Sequence, residues 1–228
     1  MSVTVNTGMS ATVNTEVQQV GRWEPDSRGR LREAAFELYE ERGFDHTTAA
    51  QIAVRAGLSE RTFFRRFADK REVLFAGSAH LQEQLVRGIA EAPHGLGALE
   101  AVGYGLQAAA SLIGQSRRDL AAKRQAVIAA NPELRERELS KLAGYAAAMA
   151  DALRQRGVAD PHATLAAEAG TTVLRVAIEE WANCDRDREL STVVEESLAQ
   201  LRAVTVNSVV RGKSQAERLR PAWGEGRA

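Results

Sequence analysis

The stretch from Ala56 to Leu74 reads AGLSERTFFRRFADKREVL. It gathers Arg61, Arg65, Arg66, Lys70 and Arg71 around Phe63, Phe64 and Phe67, half of the six phenylalanines in the chain. Cationic side chains among aromatics do one of two things. They solvate a helix that covers a small core, or they hold phosphates and read base edges. From Arg55 to Arg71 six basic residues stand against Glu60 and Asp69, a local net charge of +4. Over the whole chain 30 Lys+Arg balance 30 Asp+Glu, so a polyanion would meet this patch and not a basic protein.

No other chemistry-bearing constellation stands out. His46, His80, His94 and His162 have no metal-ligand spacing to one another, and no His-Glu-x-x-His motif occurs. Glu179-Glu180 and Glu195-Glu196 are adjacent pairs, which point to different sides of a helix and cannot share a substrate. There is no glycine-rich phosphate loop and no nucleophile elbow. Cys184 is the single cysteine, with Asn183 and Asp185 beside it, neither of which activates a thiol. These observations argue against an enzyme, a metal site or a bound cofactor. A lone cysteine fits a reducing cytoplasm. No apolar run approaches the roughly 20 residues that cross a bilayer, and the first residues carry neither a basic nor an apolar signal region.

The elements that must position the basic patch are helices. Pro, Gly and Asn punctuate segments rich in Ala, Leu, Glu and Arg, and no alternating strand pattern appears. Asp26 or Ser27 can cap a first helix whose Leu31, Ala35, Leu38 and Tyr39 form one apolar stripe, with Gly43 placed to end it. Thr47 or Thr48 caps a short second helix, Gly57 permits a tight turn, and Ser59 caps a third helix. Asp69 caps a fourth that is expected to run unbroken to about Glu91. Longer helices follow over roughly 96–114, 116–130, 132–156, 161–183 and 188–207. Asn131-Pro132 and Asp160-Pro161 each read as an N-cap followed by Pro at the first helical position.

Two short helices joined by a Gly-containing turn, within a three-helix cluster, describe a helix-turn-helix. The second helix fits the major groove, and its first turn is Ser59-Glu60-Arg61-Thr62. Arg61 can pair bidentately with guanine, Thr62 can touch a thymine methyl, and Arg65 shares the face of Arg61. Phe63 and Phe67, four apart, have core spacing, while Phe64 must point elsewhere, toward the sugar-phosphate wall. The same geometry also occurs in domains that never meet DNA, so a helix-turn-helix adaptor making protein contacts is the competing class.

From about Arg30 to Leu74 the chain resembles the DNA-binding region of TetR-family transcriptional regulators. AAFELYEERGF (34–44), Thr47-Thr48, Ile52-Ala53, Ala56-Gly57-Leu58-Ser59, Thr62, Phe64, Phe67 and Lys70 carry the likeness. Arg61 departs from it where many members have Gly, Phe64 where most have Tyr, and Arg71 comes between Lys70 and Glu72. The resemblance implies an all-α fold, an N-terminal three-helix DNA-binding domain followed by a larger helical effector-binding and dimerisation domain. The expected boundaries are a disordered arm over 1–25, the helix-turn-helix domain over 26–75, the larger domain over 76–207 and a flexible tail over 208–228. Thr48 and Lys70 would hold phosphate, and Ser59, Arg61, Thr62, Phe64 and Arg65 would line the groove.

Family members are dimers on pseudo-palindromic double-stranded operators, and most repress, although a transcriptional activator is an alternative. For the homodimer interface the helical stripes Leu174, Ile178, Trp181 and Val194, Leu198, Leu201 are candidates. The same stripes can instead face the subunit's own core. The segment from Arg117 to Trp181 resembles the small-molecule effector domain of an actinobacterial subgroup, some of whose relatives bind fatty acyl-CoA. Arg117, Arg118, Lys123 and Arg124 would then stand at the mouth of an apolar pocket, or simply form a solvated helix face.

Overall fold

The computed structural model describes residues 26–184 and 188–218, apart from the side chains of Ser116 and of residues 206–218. The expected arm and the last residues of the tail lie outside them. Every element among the described residues is a helix, as the composition implies. The first three are α1 (Ser27–Arg42), α2 (Ala49–Arg55) and α3 (Glu60–Arg66). They start where the sequence supplies caps. Asp26 accepts the amide of Gly29, Thr48 forms a reciprocal capping box with Gln51, and Ser59 accepts the amide of Thr62. Thr47, the other cap candidate, is buried and donates its hydroxyl to Gly43 O at 2.9 Å.

The long fourth helix is broken. Asp69 caps only α4 (Lys70–Leu74), and a second helix, α5 (Ser78–Glu91), follows. The amides of Phe75 and Ala76 close back on Glu72 and Val73, three residues earlier, tightening the last turn. Gly77 then adopts φ +92°, a conformation that ends the helix and that side-chain-bearing residues rarely hold.

Five more helices follow among the described residues. α6 (Ala98–Ile113) leads through a 3-10 turn (Gln115–Arg117) to α7 (Arg118–Ala130). α8 (Pro132–Gln155), α9 (His162–Asn183) and α10 (Leu190–Arg218) follow, the last running past the expected end at 207. Pro132 takes the first helical position as expected, but the Asn131 side chain turns back and donates to Val127 O at 2.6 Å. Asp160 caps no amide; its carboxylate accepts from Arg154 at 2.9 and 3.0 Å.

Two apolar cores result. The first packs Leu31, Phe36, Leu38, Tyr39, Ile52, Phe63 and Phe67 from α1 to the end of α3, and it also takes in Ile128 of α7 and Leu134 of α8. The second lies among α5, α6, α8, α9 and α10, around Leu85, Ile89, Leu106, Met149, Leu153 and Trp181. Within it α5 and α6 cross at glycines: a Cβ on Gly88 would lie 2.6 Å from Tyr104 O, and one on Gly105 equally close to Leu85 O.

This second core corrects the expected dimer interface. Leu174, Trp181, Val194 and Leu198 are buried inside the subunit, and Ile178 and Leu201 pack against the same core. The four buried residues are not available to a partner, and Ile178 and Leu201, half-buried, lie on the same inward stripes. Among the described side chains, the large apolar ones that α9 and α10 expose are Leu165, Val176 and Val204.

Candidate nucleic-acid interface

The turn between α2 and α3 is held from three sides. Gly57 has φ +65°, Leu58 N–H bonds to Ala53 O at 2.8 Å, and Arg30 of α1 donates to Ala56 O at 2.6 Å. Beyond the turn, Phe63 is fully buried and Phe67 nearly so, which fixes the rotation of α3 about its axis. Arg61, Phe64 and Arg65 therefore face out, and Phe64 is 53% exposed. Thr62 is half-buried with its hydroxyl 2.9 Å from Ser59 Oγ, and Thr48 is exposed at the start of α2. The structure thus brings Thr48, Ser59, Arg61, Thr62, Phe64 and Arg65 to the neighbourhood of one short helix and its entry.

The other cations of the basic segment are largely spent on structure. Arg55 makes a two-carboxylate clamp with Glu37 (3.1 Å) and Glu41 (2.7 Å) of α1. Hydrogen bonds from Arg55 hold the Glu41 carboxyl below the usual carboxylate range. Arg71 pairs with Glu133 at 2.8 Å, and Arg66 donates to Ser27 Oγ at 3.0 Å. Arg61 and Arg65 make no ion pair with any described residue, so the free positive charge sits on α3 itself.

Lys70 departs from the expected phosphate contact. Its ammonium points inward and donates to the carbonyls of Phe44 (2.7 Å), Thr47 (2.9 Å) and Asp45 (3.2 Å), which uses all three protons. It also lies 4.4 Å from the centroid of the Phe44 ring. Burial, the largest influence, lowers its pKa. Lys70 ties the loop between α1 and α2 to the start of α4, and the Tyr39 hydroxyl donates to its carbonyl at 2.7 Å.

A cavity of about 460 Å³ lies between α1 and the larger core. Its apolar wall includes Leu81, Ile113, Leu120, Leu142, Leu174 and Ile178. Of the four cations expected at a pocket mouth, Arg117 and Arg124 line it. Arg118 does not: it is buried, donates to Cys184 Sγ at 2.8 Å and stacks over Trp181. Lys123 instead pairs with Glu40 of α1 at 2.7 Å on the surface. Arg124 is committed to Leu74 O at 2.8 Å and to Glu138, which also lines the cavity. Sequence reasoning missed Arg28 and Arg32, which reach the cavity from α1. Their spacing of four was the available signal, hidden because helix 1 was read only for its apolar stripe.

A helix-turn-helix whose second helix is fixed by buried phenylalanines and carries outward two arginines without ion pairs among the described residues, set on a helical body, has the arrangement of a DNA-binding domain. Residues 31–76 match the family model of bacterial regulatory proteins, tetR family. That match spans the helix-turn-helix cluster, about a fifth of the chain, and identifies it as a DNA-binding domain of the tetR-family type. It is 36% identical over 76 residues to the HTH-type transcriptional regulator TcmR of Streptomyces glaucescens; the match covers 33% of this chain and 34% of that protein. Among solved structures, a putative transcriptional regulator from Pseudomonas aeruginosa PAO1 aligns with a TM-score of 0.56 at 19% identity, covering 81% of this chain and 92% of that one. The transcriptional regulator FadR of Bacillus subtilis, in complex with stearoyl-CoA, aligns with a TM-score of 0.55 at 22% identity, covering 76% and 96%. At these identities the two structures show a shared fold over head and body.

Proposed function

We propose that the chain is a ligand-responsive homodimeric repressor that leaves a pseudo-palindromic operator when a small effector enters the cavity behind α1. The observation that carries this reading is the outward face of α3, where Arg61, Phe64 and Arg65 stand without ion-pair partners among the described residues while Phe63 and Phe67 anchor the helix from behind. Arg61 reads a guanine edge from the first turn of α3, and Arg65 and the Thr48 hydroxyl meet phosphates on the groove walls. Two such helices in a dimer enter successive major grooves about 34–36 Å apart.

The dimer forms through the outer faces of α9 and α10. Leu165, Thr172 and Val176 on α9, with Ala199, Ala203 and Val204 on α10, are exposed and mostly small or apolar, which suits close helix packing about a two-fold axis. The effector is a largely apolar molecule. A fatty acyl-CoA is the leading candidate class, and the stearoyl-CoA complex of the Bacillus subtilis protein supports it.

The test is selection of bound sequences from random duplex DNA with the purified full chain at moderate salt. An enriched inverted repeat supports the reading. Selection that returns no repeat, both from protein as purified and from refolded, ligand-stripped protein, would sink it and favour an adaptor role for the helix-turn-helix. Binding of effector and operator must also be reciprocal, each weakening the other by the same factor.

A further inference from the structure

We propose that Arg28, Arg32 and Arg117 form a seat for the anionic end of an amphipathic ligand, and that through this seat the ligand grips α1 of the DNA-reading head. The inference rests on the reading of the chain as a ligand-responsive regulator. It adds the chemistry of the ligand's polar end and the residues that hold it.

Three observations converge on the seat. Arg32 Nε is buried and has no hydrogen-bond partner, a donor that costs free energy until an acceptor reaches it. Arg117 and Arg28 line the same cavity, and both oppose the charge on Arg32, whose pKa is lowered chiefly by burial and then by Arg117. Asp26 and Glu33 offset this repulsion in part. However, Asp26 is already engaged in capping α1 through Oδ1, and Glu33 is exposed. Of the other guanidiniums that line the cavity, Arg124 is neutralised by Glu138 and Arg175 pairs with Glu179 at 3.6 Å, so neither is part of the seat. An anion placed among Arg28, Arg32 and Arg117 would satisfy the orphaned donor and relieve the repulsion together. A neutral polar group would do only the first.

The cavity also offers an apolar lining of Leu81, Ile113, Leu120, Leu142, Leu174 and Ile178, which suits an apolar part of the ligand. The cavity volume of about 460 Å³ falls within the range of about 300–1,000 Å³ typical of small-molecule sites.

The position of the seat gives it a mechanical role. Arg28 and Arg32 are one helical turn apart on α1, at its N-terminal end. The Arg28 guanidinium lies 5.2 Å from the centroid of Phe67, the residue that ends α3. Its neighbour Ser27 accepts the Nε proton of Arg66 in the last turn of α3. A ligand that draws Arg28 and Arg32 toward Arg117 therefore pulls on the end of α1 to which the recognition helix is fastened.

The experiment uses two fluorescent probes of one skeleton on the full chain: 8-anilinonaphthalene-1-sulfonate, which carries an anion, and N-phenyl-1-naphthylamine, which does not. The sulfonate should bind more tightly than the amine. R32Q and R117Q should each weaken the sulfonate roughly tenfold or more, the scale of a charge-assisted hydrogen bond, and leave the amine unchanged. R117Q lies on a different element, which guards against a folding defect in R32Q, and circular dichroism checks both. Equal affinity for the two probes, or variants that weaken both in parallel or neither, would overturn the seat. Saturating sulfonate should also weaken binding of the selected inverted repeat in the unsubstituted protein and not in R32Q; equal weakening in both would overturn the coupling through α1. The probe titrations need no DNA, so a failed operator selection removes the regulatory reading without touching the seat.

Discussion

Arg66 Nε lies 3.0 Å from Ser27 Oγ and so fastens the last turn of the recognition helix to the first residue of α1. At the other end of α3, Arg30 from the next turn of α1 holds the carbonyl of Ala56. One helix thus splints the recognition helix before its start and at its finish. The orientation of the reading face is set by α1 as much as by the turn that gives the motif its name.

Arg61→Ala should weaken binding to the selected repeat by about 1–3 kcal/mol and relax preference at one position of each half-site. Because Arg61 is exposed and free of ion pairs with described residues, thermal stability should not change. Competition binding with singly substituted duplexes measures this. Unaltered preference at every position would remove Arg61 from the list of base readers.

Lys70→Met should act on stability and not on phosphate binding. It strands three carbonyls that now share one ammonium, a loss of about 1–3 kcal/mol that thermal or urea unfolding reads. The salt dependence of DNA affinity should keep its slope. A slope reduced by about one would instead mean that a phosphate contact had gone.

The clamp between α1 and α2 should fail in acid. Glu41 is held below its ordinary pKa by hydrogen bonds from Arg55, so the folded state binds its proton less readily than the unfolded chain does. Its contribution is therefore present above the ordinary glutamate range, about pH 4.3, and is lost as pH falls through the lowered value. The melting temperatures of the unsubstituted protein and Glu41→Gln should differ at neutral pH and converge in acid. A constant difference would mean that the pairing contributes nothing.

Gly88→Ala should destabilise the body by about 1–3 kcal/mol, the scale of overpacking, because the new methyl group meets backbone of α6 that cannot turn aside. Chemical unfolding reads the cost. Gly43→Ala is the control: a Cβ there meets nothing within 4 Å, so only the positive φ is strained.

The helical cluster was legible because its signals are local. Asp26, Ser59 and Asp69 each accept an amide three residues on, as their types and positions imply, and Phe63 and Phe67 show core spacing on a seven-residue helix. The break at Gly77 was not legible, since Ala-Gly-Ser inside an otherwise helical pattern only lowers helix propensity and does not state where the chain turns. The stripes of α9 and α10 were expected at a dimer interface, with the subunit's own core as the alternative, because an apolar period does not say which of the two it meets. Basic residues were least legible. Arg118 and Lys123 look alike in sequence, yet one is buried against Cys184 and Trp181 and the other pairs with Glu40 on the surface, because their partners come from segments 66 and 83 residues away.

Ile128 and Leu134, from α7 and α8, belong to the apolar core of the DNA-reading head. A fragment ending near residue 75 would carry every side chain proposed to read bases and still lack two of the residues that close its own interior. The reading head thus does not close its own interior, and transplanting it alone onto another protein would leave a hydrophobic opening where α7 and α8 now rest. The portable module is the head together with the α7–α8 corner.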